Sequence, residues 1–250
     1  MTEHVATLDS VTVSFGDLTV VEDASFAVES DAVTCLIGPN GSGKTTLLRA
    51  VTGLLALDRG HVDRTVSTDR PVGYLAQEPT FRPQFTVRET LEFYADLIGH
   101  DIDVPAVIDR VGLGGVPDRR VEALSGGMTR LLGIAQATLG DPGLLVLDEP
   151  SSGLDPMMTR HITETVSELA DGETGVLLAT HDLASVERVG DEVVVLDRGQ
   201  VVETGTPTAL LDETDTGSLD EALSALVSGE SGSVATREVV SAEGGDGGDR

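Results

Sequence analysis

Gly38-Pro39-Asn40-Gly41-Ser42-Gly43-Lys44-Thr45 decides the fold of this chain. The stretch matches G-x-x-x-x-G-K-[ST] at every fixed position. It also sits in the required setting, after the apolar run 32–37 and before a helical pattern over 44–53. A short, continuous apolar run of that kind reads as a strand buried on both faces. The glycines let backbone N–H groups curl around a phosphate, and the helix start adds its positive dipole end. Lys44 is suited to bridge β- and γ-phosphates, and the Thr45 hydroxyl to ligate Mg2+. The loop implies a nucleoside triphosphatase and leaves its task open.

Working outward, residues 5–13 and 20–28 alternate as strands around a turn at Gly16-Asp17. Further strands are expected at 72–76, 144–147, 175–180 and 193–196. Helices are expected at 86–98, 104–111, 126–139, 158–170 and 183–188. Thr86 and Glu89 have the spacing of an N-terminal capping box. Short apolar strands alternating with helices indicate an α/β fold around a mainly parallel sheet. The region from about 78 to 139 carries helices without a strong strand and reads as an inserted helical subdomain. The expected organisation is a domain over 1–227 followed by an acidic, Gly/Ser-rich, disordered tail over 228–250.

The strand 144–147 runs into Asp148-Glu149-Pro150. A carboxylate at a strand end can hold Mg2+, which suits Asp148. Glu149 beside it can polarise an attacking water as general base.

Composition narrows the function. The chain has 250 residues and a net charge of −27, from 16 Lys+Arg against 43 Asp+Glu. Such a surface repels polyanions, so nucleic acid is disfavoured as a partner. No apolar run approaches the ~18–20 residues of a membrane span. The single cysteine, Cys35, excludes a disulfide scaffold and suits a reducing cytoplasm. The N-terminus, with Glu3 and His4, lacks the basic and apolar regions of a signal peptide. Dispersed carboxylates repel strongly in dilute salt and are screened in molar salt, which predicts a salt-rich cytoplasm of the halophilic archaeal kind. Of the 16 cations, 15 are arginine; the one lysine is Lys44, in the phosphate loop. That loop needs a compact point charge rather than a planar guanidinium.

Leu124-Ser125-Gly126-Gly127-Met128 opens a helix 23 residues before Asp148, counted from Ser125. Here the sequence resembles the ATPase subunits of ATP-binding-cassette (ABC) transporters, whose signature is L-S-G-G-Q; Met128 stands in place of the Gln. The resemblance spans about residues 5–225, with the motifs in order. Gln77, in Gly73-Tyr74-Leu75-Ala76-Gln77, matches the Q-loop glutamine. Ser152-Gly153-Leu154-Asp155 matches the D-loop, and His181 in Thr180-His181-Asp182 matches the switch histidine. Phe15 stands where the family places an aromatic that stacks on adenine.

The resemblance implies a P-loop ATPase core with a mainly parallel sheet, an N-terminal antiparallel β subdomain and an inserted helical subdomain. It implies ATP and Mg2+ as cofactors. Thr45, Gln77 and Asp148 are then the metal residues, and Glu149, His181 and Gln77 the catalytic ones. Phe15 and the loop from Gly38 through Thr45 to Thr46 hold the nucleotide. Ser125, Gly126, Gly127 and Asp155 meet the nucleotide of a second ATPase subunit. An integral membrane permease is the implied partner, with the chain peripheral on the inner face of the membrane. The run Thr86-Val87-Arg88-Glu89-Thr90-Leu91-Glu92-Phe93-Tyr94-Ala95 resembles the export-type subclass. An importer ATPase is the alternative within the superfamily. A soluble ABC ATPase of DNA repair or translation is the alternative outside transport, disfavoured because the chain has neither a coiled coil nor a second cassette.

Overall fold

The computed structural model describes residues 3–65, 70–99, 102–170 and 172–228. Strand β1 (His4–Phe15) turns through Gly16-Asp17 into β2 (Leu18–Glu29), and β3 (Val33–Ile37) leads to the phosphate loop and α1 (Lys44–Val51). β4 (Arg59–Arg64) and β5 (Val72–Leu75) precede the helices α2 (Val87–Ile98), α3 (Val104–Arg110) and α4 (Gly126–Thr138). The chain then alternates: β6 (Leu144–Asp148), α5 (Pro156–Leu169), β7 (Gly175–Ala179), α6 (Leu183–Val189) and β8 (Glu192–Asp197). It closes with β9 (Gln200–Gly205), α7 (Pro207–Thr214) and α8 (Leu219–Ser228).

Two sheets result. The small one is antiparallel, in the order β2-β1-β4, and the large one runs β5-β6-β7-β3-β8-β9. In the large sheet every pairing is parallel except β8 with β9. The expected antiparallel N-terminal sheet and mainly parallel core are therefore both present.

Alternation along the strands decides which layer each residue joins. Val33, Cys35 and Ile37 of β3 face one core with Leu145 and Leu147 of β6. Leu36 faces the other with Leu144 and Val146. Every residue of β3, β6 and β7 is buried. This is why these strands read as unbroken apolar runs rather than as alternating ones. α1 and the small sheet cover the second face, through Leu47, Leu48, Val11 and Val21. The first face is covered by α2, α4 and α5, among others, through Leu91, Leu132 and Ile162.

Most expected elements appear within a few residues of their predicted ends. β4, β9, α7 and α8 were not anticipated. β4 (Arg-Gly-His-Val-Asp-Arg) has one apolar residue and lies at the edge of the small sheet, paired only with β1. β9 pairs with β8 through a turn at Arg198-Gly199, both at positive φ (46° and 86°), the backbone of a tight hairpin. Neither strand has an apolar run to announce it. The capping box does form: Thr86 Oγ1 accepts from Glu89 N–H at 3.1 Å, and Glu89 Oε2 accepts from Thr86 N–H at 2.8 Å. Residues 229–250 of the predicted acidic tail lie outside the described residues. Its first residue, Ser228, ends α8.

Candidate nucleotide site

β3 delivers the chain to Gly38 at the carboxyl edge of the sheet, where the backbone must turn sharply into α1. Gly38 has φ +148°, and a Cβ there would overlap the Leu196 carbonyl oxygen of β8. No other residue fits that close approach. The loop then folds over Lys44, whose Nζ donates to the carbonyls of Gly38 at 2.8 Å and Pro39 at 3.0 Å. Burial lowers the Lys44 pKa, while Glu149 and Asp148 act to raise it. The ammonium is thus held inside its own loop.

A cleft of about 280 Å³ opens at this point. Val20, Asn40, Gly41, Gly43, Lys44, Thr45, Thr46, Gln77, Asp148 and Glu149 line it, so four distant parts of the sequence converge. Thr45 Oγ1 donates to Asp148 Oδ1 at 3.2 Å, joining the start of α1 to the end of β6. Burial raises the Asp148 pKa; the Thr45 hydrogen bond opposes this, and Glu149 adds to it.

Glu149 leaves the strand at φ +51°, a left-handed conformation that costs a non-glycine residue about 1–3 kcal/mol. Its backbone N–H donates to Ala179 O at 2.9 Å, which ties the turn to β7. Its carboxylate meets His181 Nδ1 at 2.7 Å, just past the end of β7. The buried carboxylate and the half-exposed imidazole form a pair whose second ring nitrogen is free to meet a third group.

The donor set fits a nucleotide with a divalent ion. Ser42 Oγ and Asp148 Oδ2 are buried without a hydrogen-bond partner. The first is an unused hydroxyl within the phosphate loop, and the second an unused carboxylate oxygen beside it. Mg2+ is commonly held by one or two carboxylates together with substrate phosphates and waters. Thr45, Gln77 and Asp148 are the residues here that would hold it. When bound, the ion would neutralise charge developing on the phosphates.

Other predicted residues lie outside this cleft. Phe15 ends β1 and is 54% exposed. Ser125 caps α4, its hydroxyl accepting from Met128 N–H at 3.3 Å. A Cβ on Gly127 would collide with the Met158 side chain, so the signature packs closely on α5. Asp155 caps that same helix, accepting from Met157 and Met158 N–H at 3.0 and 3.1 Å. Signature and D-loop are therefore neighbours within one chain, and neither lines the cleft at the phosphate loop.

Val20 of β2 also lines the cleft, and no motif marks it. Arg130, two residues past Met128, is a second residue without a motif. Its Nη1 is buried without a partner, and burial lowers its pKa while Glu78, Asp148 and Glu149 act to raise it.

Comparison with known proteins agrees with this geometry. Residues 21–152 match the family model described as ABC transporter. The chain is 38% identical over 227 residues to Nod factor export ATP-binding protein I of Bradyrhizobium diazoefficiens, covering 85% of this chain and 74% of the relative. It is 36% identical over 214 residues to an uncharacterized ABC transporter ATP-binding protein of Bacillus subtilis, YdbJ, covering 80% and 69%. Among solved structures, an ATP-binding subunit of an ABC transporter superposes with a TM-score of 0.77 at 28% identity, covering 89% of this chain and 99% of that one. A nucleotide-free ATP-binding cassette gives 0.72 at 26% identity, covering 82% and 92%. With the phosphate loop, the strand-end acids, the signature and the histidine all in the family's order, the chain belongs to the ATP-binding subunits of ABC transporters, ATPases that bind ATP with Mg2+.

Proposed function

We propose that the chain powers export through a separate integral membrane permease, hydrolysing ATP at the interface of two head-to-tail ATPase subunits. The contact between Glu149 and His181, beside the Asp148–Thr45 bond, carries the hydrolytic part of this reading. Glu149 is the general base for the attacking water, and Lys44 and His181 hold the γ-phosphate. Gln77 lines the same cleft and joins Thr45 and Asp148 around the metal. Phe15 stacks on the adenine.

Ser125 begins a helix of 13 residues, and its neighbours Gly126 and Gly127 are that helix's first turn. A helix start of this length is an anion site. Since it lies outside its own chain's cleft, it serves the γ-phosphate held by the second subunit, with Asp155 beside it. ATP then acts as glue, and its hydrolysis lets the two subunits part.

The export direction rests on the Nod factor export relatives. The permease docks beside residues 78–139, which form the helical subdomain. Five of the chain's seven aromatic residues are Tyr74, Phe81, Phe85, Phe93 and Tyr94. Phe81, Phe85, Phe93 and Tyr94 are linked by edge-to-face contacts at 5.4–6.4 Å. Arg82 lies over two of the rings. Tyr74, Phe81 and Tyr94 line a groove of about 440 Å³. Aromatic anchors in a groove are what protein interfaces enrich. No helix among the described residues is long and apolar enough to cross a membrane. The subunit is held at the cytoplasmic face of the membrane by its permease.

The test is Glu149→Gln with Mg2+-ATP, measured by light scattering. A doubled mass with ATP, and not with ADP, is the expected result. A variant that binds ATP yet stays monomeric at every protein concentration would overturn the sandwich.

A further inference from the structure

Tyr74 Oη on β5 and Asp148 Oδ2 at the end of β6 are both buried, and neither makes a hydrogen bond of normal geometry. The register shows that the two residues are neighbours. Tyr74 pairs with Val146 across parallel strands. Asp148 stands two residues further along β6, so alternation puts it on the same face of the sheet. Diagonal neighbours of this kind lie about 7–8 Å apart at Cα, within reach of a long aromatic side chain.

α1 covers that face, and Tyr74 packs against the apolar cluster to which Leu47, Leu48 and Val146 belong. On the same helix Thr45 already holds the other carboxylate oxygen, Asp148 Oδ1. Burial raises the Tyr74 pKa most; Arg49, one turn on along α1, approaches the phenol oxygen as a hydrogen-bond donor and opposes this, while the Asp148 charge adds to it. A buried hydroxyl without a partner costs free energy. Arg49 can only donate to the phenol oxygen, so the phenol proton still lacks an acceptor, and Asp148 Oδ2 is an acceptor without a donor on the same face.

We propose that Tyr74 is a positioning residue for the metal-binding carboxylate. Its hydroxyl donates to Asp148 Oδ2, directly or across one bound water, and fixes the carboxylate when Mg2+ and nucleotide enter the loop. The ring of Tyr74 also forms part of the wall of the aromatic groove. One side chain thus reaches from the proposed permease-docking groove to the metal carboxylate. The proposal rests on the assignment of Asp148 to the metal.

The test is Tyr74→Phe in the full chain. Equilibrium binding of a fluorescent ATP analogue is measured with Mg2+ and with EDTA, alongside melting curves. Binding with Mg2+ is expected to weaken about tenfold to a hundredfold, as for one lost hydrogen bond to a charged group, while binding in EDTA stays unchanged. The nucleotide-free variant is expected to melt at or above the parent temperature, and to gain less on adding Mg2+-nucleotide. Equal weakening with and without Mg2+, a lower melting temperature in the nucleotide-free protein, or no change in any measurement would each overturn the proposal. Asp148→Asn separates the premises: it must lose most of the Mg2+ effect on binding. If it keeps that effect, the metal assignment itself is wrong, and the Tyr74 proposal falls with it.

Discussion

Lys44 is the one lysine among 16 cations, and its ammonium is folded against the carbonyls of Gly38 and Pro39. A guanidinium is planar and broad, so Lys44→Arg keeps the charge but does not fit that cradle. We expect both Lys44→Arg and Lys44→Ala to lose tight ATP binding, by about tenfold or more in Kd, as for a lost charge-assisted contact to phosphate. Binding by Lys44→Arg at parent affinity would mean that charge alone suffices. Cys35 is buried in β3, and burial first, then the Asp191 charge, pushes its pKa from 9.0 up to about 12. The folded chain therefore holds the thiol proton more tightly than the unfolded chain does. The stability linked to this thiol is present below pH 9 and is lost as pH rises toward 12. At pH 8 the native protein should resist iodoacetamide and react only in denaturant, a difference that mass spectrometry reads directly. At this scale the sequence exposed the phosphate loop, Asp148, Glu149, Gln77 and His181, because each sits at a fixed place in a motif. It was silent on Tyr74, Arg130 and Val20. Their relation to the site depends on strand register and helix packing, which no local pattern encodes.

The helix α2 shows how far local chemistry reaches. Thr86 and Glu89 form the reciprocal cap that their spacing predicts. Val87 and Leu91 lie fully buried on the inner face of the helix, with Ala95 almost so. Replacing Thr86 by Ala leaves the Glu89 N–H without its acceptor and should cost about 1 kcal/mol. In a chain of this size that lowers Tm by about 2–4 °C. An unchanged Tm would mean that tertiary packing alone fixes the helix start. The buried strands β3, β6 and β7 were legible for a related reason, since burial on both faces leaves an unmixed apolar run. β4 and β9 were not, because their formation depends on a neighbouring strand rather than on their own apolar content. The left-handed turn at Glu149 was also hidden. It follows from the tie to Ala179 and from the approach to His181, both more than 25 residues away.

For the molecule as a whole, the governing quantity is the charge of −27. Carboxylates on this scale repel one another until salt shortens the Debye length to about 3 Å at 1 M. We expect Tm and ATPase activity both to rise from dilute buffer to molar KCl; equal values in the two would remove the argument for a salt-rich cytoplasm. That surface charge sits around a site where one ammonium, two carboxylates and one imidazole converge, and the account depends on Glu149 acting as the base there. The most direct measurement is the rate of phosphate release from Mg2+-ATP by the parent chain and by Glu149→Gln in molar KCl, with ATP binding measured beside it. Bound ATP is expected in both, with a rate at least about 100-fold lower in the variant. Hydrolysis by Glu149→Gln at the parent rate would contradict Glu149 as the base.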